Sequence, residues 1–189
     1  MKNICVYCSS SSAVSQEYYR EAYNLGQCLG ENNYTLVYGG VSVGLMGEVA
    51  HSVYINGGKI ISVIPEAIKN RGITYDKADY IIYTKNLRER KAVMEYQSEA
   101  FIALPGGFGT LEEVMEILTL KQLQVHNKPV IFINTNGFYD RLLGFFDTIY
   151  RESFAKSIFQ NLYSIVPDSD SAIKVLQSYE PIELETKWY

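Results

Sequence analysis

The sequence predicts an α/β domain in which a doubly wound parallel sheet of about six or seven strands carries helices on both faces. Three observations lead there. Short runs rich in Val, Ile, Tyr and Phe alternate with longer segments of helical periodicity along the chain. The first run, Asn3-Ile-Cys-Val-Tyr-Cys8, is almost continuously apolar, as expected of a strand buried on both faces. Polar or glycine-rich turns follow the strands at Ser9, Gly39 and Pro105, and ligands in such sheets bind outside the carboxyl ends of the strands.

Each element has its own signal. After Ser9-Ser10-Ser11-Ser12, a helix from about Ser15 to Asn32 lines up Ala22, Leu25, Cys28 and Leu29 on one stripe. The serine run reads equally as a phosphate or ribose contact and as a cap and turn. Thr35-Leu-Val-Tyr38 is the second strand. Gly39-Gly40 end it, and Gly44-Leu45-Met46-Gly47 open a helix to about Asn56. This turn reads either as a ligand cradle or as close helix–strand packing. Lys59 to Ile64 is the third strand, stopped by Pro65. Residues 66–79 are irregular and polar, a candidate flap. Tyr80-Ile-Ile-Tyr83 is a short fourth strand, and Asn86 to Ser98 a helix carrying Arg88, Glu89, Arg90 and Lys91. A charge run on a helix is usually a solvated face. Ala100 to Leu104 is the fifth strand, with a helix from Leu111 to about Val125 beyond it. Val130 to Ile133 is the sixth strand. The helix Phe138–Glu152 has an apolar face of Leu142, Leu143, Phe146 and Ile149, and a last strand (163–166) and helix (169–179) follow. Residues 180–189 carry no pattern and read as a tail.

Composition bounds the function. A chain of 189 residues with 47% hydrophobic and 20% charged residues is one ordinary globular domain, residues 1–189. A net charge of −4 argues against a nucleic-acid partner. No apolar stretch reaches the roughly 20 residues of a membrane span. Met1-Lys2-Asn3 leads straight into a strand pattern, so the expected place is the cytoplasm. Cys5 and Cys8 have C-x-x-C spacing, but with only His51 and His126 beside them they read as reduced strand cysteines and not as a metal site. Sixteen tyrosines suggest packing or a subunit interface.

The densest signal is Leu104-Pro105-Gly106-Gly107-Phe108-Gly109-Thr110-Leu111-Glu112-Glu113. Glycines bring the backbone close to an anion, and the first turn of the next helix offers unpaired N–H groups at the positive end of its dipole. Thr110 reads as the N-cap, with Glu113 completing a capping box. The stretch lacks the Gly-Lys-Ser/Thr of a P-loop, and it does not follow the first strand as a dinucleotide fingerprint does.

Pro105 to Glu113 resembles the PGGxGTxxE signature of the LOG family, the cytokinin riboside 5′-monophosphate phosphoribohydrolases once labelled lysine decarboxylases. Arg90-Lys91-Ala92-Val93-Met94 resembles that family's RKAxM stretch, and Tyr38 to Gly47 its GGGxxGLMG loop. The resemblance runs from about residue 3 to about residue 178 and implies a Rossmann-like fold. It also implies hydrolysis of the N-glycosidic bond of a purine nucleoside 5′-monophosphate, cytokinin-type or adenosine, giving free base and ribose 5-phosphate.

On this resemblance Glu113 and Arg90 are catalytic. Lys91, Gly106, Gly107, Phe108, Gly109, Thr110, Leu111, Glu112 and Thr119 bind substrate, and Ser9, Ser10, Gly39, Gly40, Gly44 and Met46 stand behind them. No cofactor and no metal are implied, and relatives are homodimers. The chain departs from the family pattern at Ser9 and Val41, where glycines are usual, and at Gly72, where some relatives carry a nucleotide-contacting Glu. Lysine decarboxylation would need a pyridoxal phosphate site with a Schiff-base lysine, and no such motif is present. A non-catalytic reading remains: molybdenum-cofactor carriers share this fold and a similar glycine-rich loop.

Overall fold

A computed structural model describes residues 2–69 and 71–183. Part of the proposed tail, residues 184–189, lies outside the described residues. Seven parallel strands form one sheet in the order β4-β3-β2-β1-β5-β6-β7. They are β1 (Asn3–Tyr7), β2 (Thr35–Tyr38), β3 (Lys59–Pro65), β4 (Tyr80–Thr84), β5 (Ala100–Ala103), β6 (Val130–Ile133) and β7 (Ser164–Val166). The helices are α1 (Gln16–Glu31), α2 (Gly44–Ile55), the single turn α3 (Glu66–Lys69), α4 (Leu87–Gln97), α5 (Phe108–Gln122), α6 (Asp140–Arg151) and α7 (Ser169–Ser178).

The chain winds outward from β1 through β2 and β3 to β4, then returns to β5 on the other side of β1. The topological switch therefore lies between β1 and β5, where a doubly wound sheet opens a crevice at its carboxyl edge. Alternation along β1 feeds two cores. Ile4, Val6 and Cys8 pack with Leu25, Leu29, Val49, Val53 and Ile173 of α1, α2 and α7. Cys5 and Tyr7 pack with Met94, Val114, Ile117 and Leu118 of α4 and α5. The two cysteines thus face opposite sides of the sheet, so their spacing is that of strand residues and not of a redox pair.

Three local expectations are corrected. β3 runs through Pro65, which pairs in register with Thr84 at the strand's last position, where its missing N–H costs the ladder one terminal bond. Thr110 is not the N-cap of α5. Gly107 is, with extended backbone (φ −90°, ψ −156°), and Leu111 N–H already donates to the Gly107 carbonyl at 3.0 Å. With the helix starting three residues early, the Thr110 side chain turns inward and is buried, and Glu113 is free to face another partner. Residues 66–79 are not wholly irregular: beyond α3, Ser42 N–H donates to Ile73 O at 2.7 Å and Tyr75 N–H to Gly40 O at 3.0 Å, tying this segment to the turn after β2.

Candidate active site

A crevice of about 420 Å³ opens at the switch point. Its walls are Cys8 to Ser11 after β1, Gly39 and Val41 after β2, Met46 of α2, Ile68 of α3, Arg90 of α4, and Gly107 to Thr110 with Glu113 of α5. Backbone bonds lock the three turns together. Ser9 N–H donates to Pro105 O at 3.3 Å, and Met46 N–H donates to Ser9 O at 3.2 Å. Ser9 Oγ accepts from Ser11 N–H at 3.0 Å, so this hydroxyl shapes its own loop.

Arg90 is delivered by a well-made helix start. Asn86 Oδ1 accepts from Glu89 N–H at 3.0 Å while Glu89 Oε2 accepts from Lys85 N–H at 2.7 Å. This reciprocal cap contributes on the order of 1 kcal/mol and fixes the register of the first turn. One helical turn along, Arg90 points into the protein and is 8% exposed. Its Nε donates to the carbonyl of Val63 at 3.2 Å, and its Nη1 to Glu113 Oε1 at 2.7 Å. Glu113 is 5% exposed. Burial pushes its carboxyl above the ordinary value, and the Arg90 guanidinium opposes that rise. Burial also raises the thiols, Cys5 to about 12 and Cys8 higher still, so neither is a thiolate nucleophile at neutral pH.

The turn after β5 is open. A Cβ placed on Gly107 or Gly109 would meet no atom within 4 Å, and Phe108 between them is 94% exposed. The first-turn amides of α5 have no partner within the helix by geometry, and they lie beside the crevice. The turn after β2 is closed instead. Gly40 (φ +77°) lies against Ile64 and Gly44 (φ +61°) against the Ser10 backbone, so these two pack protein on protein.

Of the residues named from sequence, Arg90, Glu113, Gly107, Phe108, Gly109, Thr110, Ser9, Ser10, Gly39 and Met46 come together on the crevice. Gly106 lies behind it, against the Thr110 side chain. Lys91 and Glu112 lie outside the lining and pair with each other, and Lys91 also reaches Glu116 at 2.9 Å. Leu111 packs on the second core. Thr119 is exposed further along α5, its hydroxyl donating to Met115 O at 2.8 Å. Ser11, Val41, Cys8 and Ile68 also line the crevice and are not among the named site residues. The serine run points to the first and the glycine-rich turn to the second, and nothing local points to the other two. Among the described residues no group of three or more His, Cys, Asp or Glu is placed to hold a metal ion, and no helix is long and apolar enough to cross a membrane.

A switch-point crevice, an open helix N-terminus and a buried Arg–Glu pair lie together in a doubly wound α/β protein, at the edge of the sheet where such folds take their ligands. The chain belongs to the family whose model is described as "Possible lysine decarboxylase", which matches residues 46–176. Relatives are named for a different activity. A cytokinin riboside 5′-monophosphate phosphoribohydrolase of Arabidopsis thaliana is 41% identical over 180 residues, covering 95% of this chain and 84% of the relative. A probable enzyme of the same name from Oryza sativa subsp. japonica is 41% identical over 181 residues, covering 96% and 80%. The family read from three motifs is thus the one matched along nearly the whole chain. Among solved structures, the molybdenum cofactor binding protein of Rippkaea orientalis superposes with a TM-score of 0.71 at 24% identity, covering 94% of this chain and 97% of that one. The molybdenum cofactor carrier protein of Chlamydomonas reinhardtii gives 0.71 at 22%, covering 95% and 100%. At that identity the likeness is one of fold.

Proposed function

We propose that the protein hydrolyses the N-glycosidic bond of purine nucleoside 5′-monophosphates, cytokinin-type or adenosine, releasing free base and ribose 5-phosphate. One observation carries this reading: a carboxylate held by a buried guanidinium in a crevice, beside a helix N-terminus left open by glycines. The α5 amides at Gly107 to Thr110 hold the 5′-phosphate, without a cationic side chain. The Glu113 carboxylate offsets positive charge developing at the sugar carbon and takes the proton from the attacking water. Arg90 keeps that carboxylate ionised and aimed. The relatives named as phosphoribohydrolases support the same reading.

A carrier of the same fold would need the cradle but no proton acceptor beside it, so the Arg90–Glu113 pair favours the enzyme. The test is incubation with AMP, a cytokinin riboside monophosphate and GMP, followed by chromatography. Free base and ribose 5-phosphate in equal amounts are expected from at least one. Recovery of bound but intact nucleotide from all three would replace the enzyme with the carrier.

The same proposal includes a cytoplasmic homodimer, with nucleic acid and membranes excluded as partners. Met115, Phe145 and Phe154, 37%, 60% and 84% exposed, border an apolar groove of about 520 Å³ between α5 and α6. Leaving that much apolar surface wet is costly, and a second copy of the chain would cover it. Light scattering should give a mass of two 21.5 kDa chains, and a single-chain mass at micromolar concentration would remove the dimer.

A further inference from the structure

Arg90 is held at three points. Nε donates to the Val63 carbonyl near the end of β3, Nη1 donates to Glu113, and Nη2 lies over the Cα of Gly39 at the end of β2. A Cβ at position 39 would fall on Nη2, and it would stand 3.2 Å from Cζ of the same guanidinium and 3.4 Å from Met46 Sδ. The other glycines of that turn meet different things: Gly40 meets Ile64, Gly44 the Ser10 backbone, Gly47 the Ser42 backbone. Gly39 alone among them faces the tip of a functional side chain.

We infer that Gly39 is a positioning residue for the reaction: its missing Cβ is the slot in which the guanidinium lies, and slot and Val63 carbonyl together aim Arg90 at Glu113. The inference rests on the reading that this pair serves catalysis. Its physical content is specific. The colliding atom is the far end of a flexible side chain and not backbone, so an added methyl moves the guanidinium before it moves the sheet. A misplacement of about 1 Å in a catalytic assembly can cost roughly 10²-fold in rate. Glu113 would register the same displacement. The titratable and charged groups near enough to act on it are Cys5, Tyr7 and Cys8 at β1, Arg90 and Lys91 on α4, and Glu112 on its own helix. Arg90 is the foremost of them in holding the carboxylate ionised against burial.

The experiment is a double-mutant cycle of Gly39→Ala and Arg90→Ala, read two ways. With AMP as substrate, Gly39→Ala should lower kcat roughly 10²-fold with KM within a few-fold, and should move the acid limb of the pH profile upward. In the Arg90→Ala background the same change should have no further effect. Separately, ¹³C-carboxyl NMR should show Glu113 titrating at higher pH in Gly39→Ala than in the parent. That readout stands even if AMP is not turned over, so a failed activity sinks the proposed function and leaves the slot to be judged on its own. Unchanged kcat and an unchanged Glu113 titration in Gly39→Ala would overturn the inference. If Gly39→Ala does not fold, the double variant must fold once Arg90 is shortened, and a double variant that also fails places the clash elsewhere and overturns it too.

Discussion

Among the ion pairs that join α4 to α5, two use consecutive residues on both helices. Arg90 meets Glu113 and Lys91 meets Glu112. The cations are alike, with the Arg90 and Lys91 side chains 10% and 15% exposed, but the acids differ: Glu113 is 6% exposed, whereas Glu112 and Glu116, which share Lys91, are 59% and 44% exposed. Consecutive helical residues point about 100° apart, and here that angle separates a crevice wall from a solvent-facing rim. Adjacent charges of one type need not share a job. The buried pair pays desolvation and gains a shifted, oriented carboxylate; the outer pair is screened by water and holds two helices together weakly.

The comparison breaks most sharply at Glu113→Gln. As a base Glu113 has no amide substitute, so turnover should fall by about 10²–10⁴-fold while nucleotide still binds. Stability should change little, and the sign can be worked out. The native carboxyl titrates above the ordinary 4.5, so the folded state holds its proton more tightly than the unfolded state. The ionised form therefore costs stability as pH rises through that window, and a neutral glutamine removes this cost while keeping an acceptor for Arg90. Melting at neutral pH should stay near the parent value. The parent's activity should fall on acidification at a pH above the ordinary carboxyl value of 4.5. A glutamine variant with parental kcat would remove the distinction between the two pairs.

The next effect tests the open cradle that the buried pair stands beside. Each donor in the first turn of α5 left unmatched in a closed complex costs about 1–3 kcal/mol. Adenosine should therefore lose at least about tenfold in kcat/KM against AMP. Equal values for the two would show that the Gly107–Thr110 amides do not hold the phosphate.

Much of this was legible in sequence and some was not, for identifiable reasons. Strands such as Asn3–Tyr7 and Ala100–Ala103 announced themselves because central parallel strands are apolar on both faces. Arg90 and Glu113 were found through motifs, since nothing local shows that they touch. The start of α5 was missed because a glycine N-cap offers no side chain to recognise, and Thr110-x-x-Glu113 imitates a capping box whose acid is in fact turned to Arg90. The reciprocal cap at Asn86 and Glu89 is hidden in sequence because Glu89 lies in a charge run that reads as a solvated face. That Gly39 accommodates a guanidinium from another helix is a tertiary fact, invisible to any local pattern.

Smaller effects belong to the outer pair. Lys91→Ala removes contacts to Glu112 and Glu116, and exposed pairs are worth about 0.2–1 kcal/mol each. A fall in melting temperature of a few degrees is expected, shrinking as salt is added. The lysine's pKa is raised, chiefly by its bond to Glu112, so its contribution is complete at neutral pH and is lost only as pH rises past the ordinary lysine value of 10.5. A salt-independent loss would mean that the alkyl stem, and not the charge, joins the helices.

Arg88→Ala should be nearly silent, and that silence is informative. Arg88 and Arg90 are two residues apart on α4, so their side chains point about 160° apart around the helix. Arg90 is buried against Val63 and Glu113, and Arg88 is exposed to solvent. A surface substitution of this kind usually stays within about 0.5 kcal/mol in stability, and kcat/KM should stay within about twofold. Both arginines carry the same charge, so any general electrostatic attraction of an anionic nucleotide would be weakened alike by losing either. The expected contrast, a crippled Arg90→Ala beside a parental Arg88→Ala, therefore separates a guanidinium acting by position from one acting by charge alone. If Arg88→Ala lost activity to the same degree, long-range charge on α4 and not the pairing with Glu113 would carry the function, and the distinction between buried and exposed pairs would lose its mechanistic meaning.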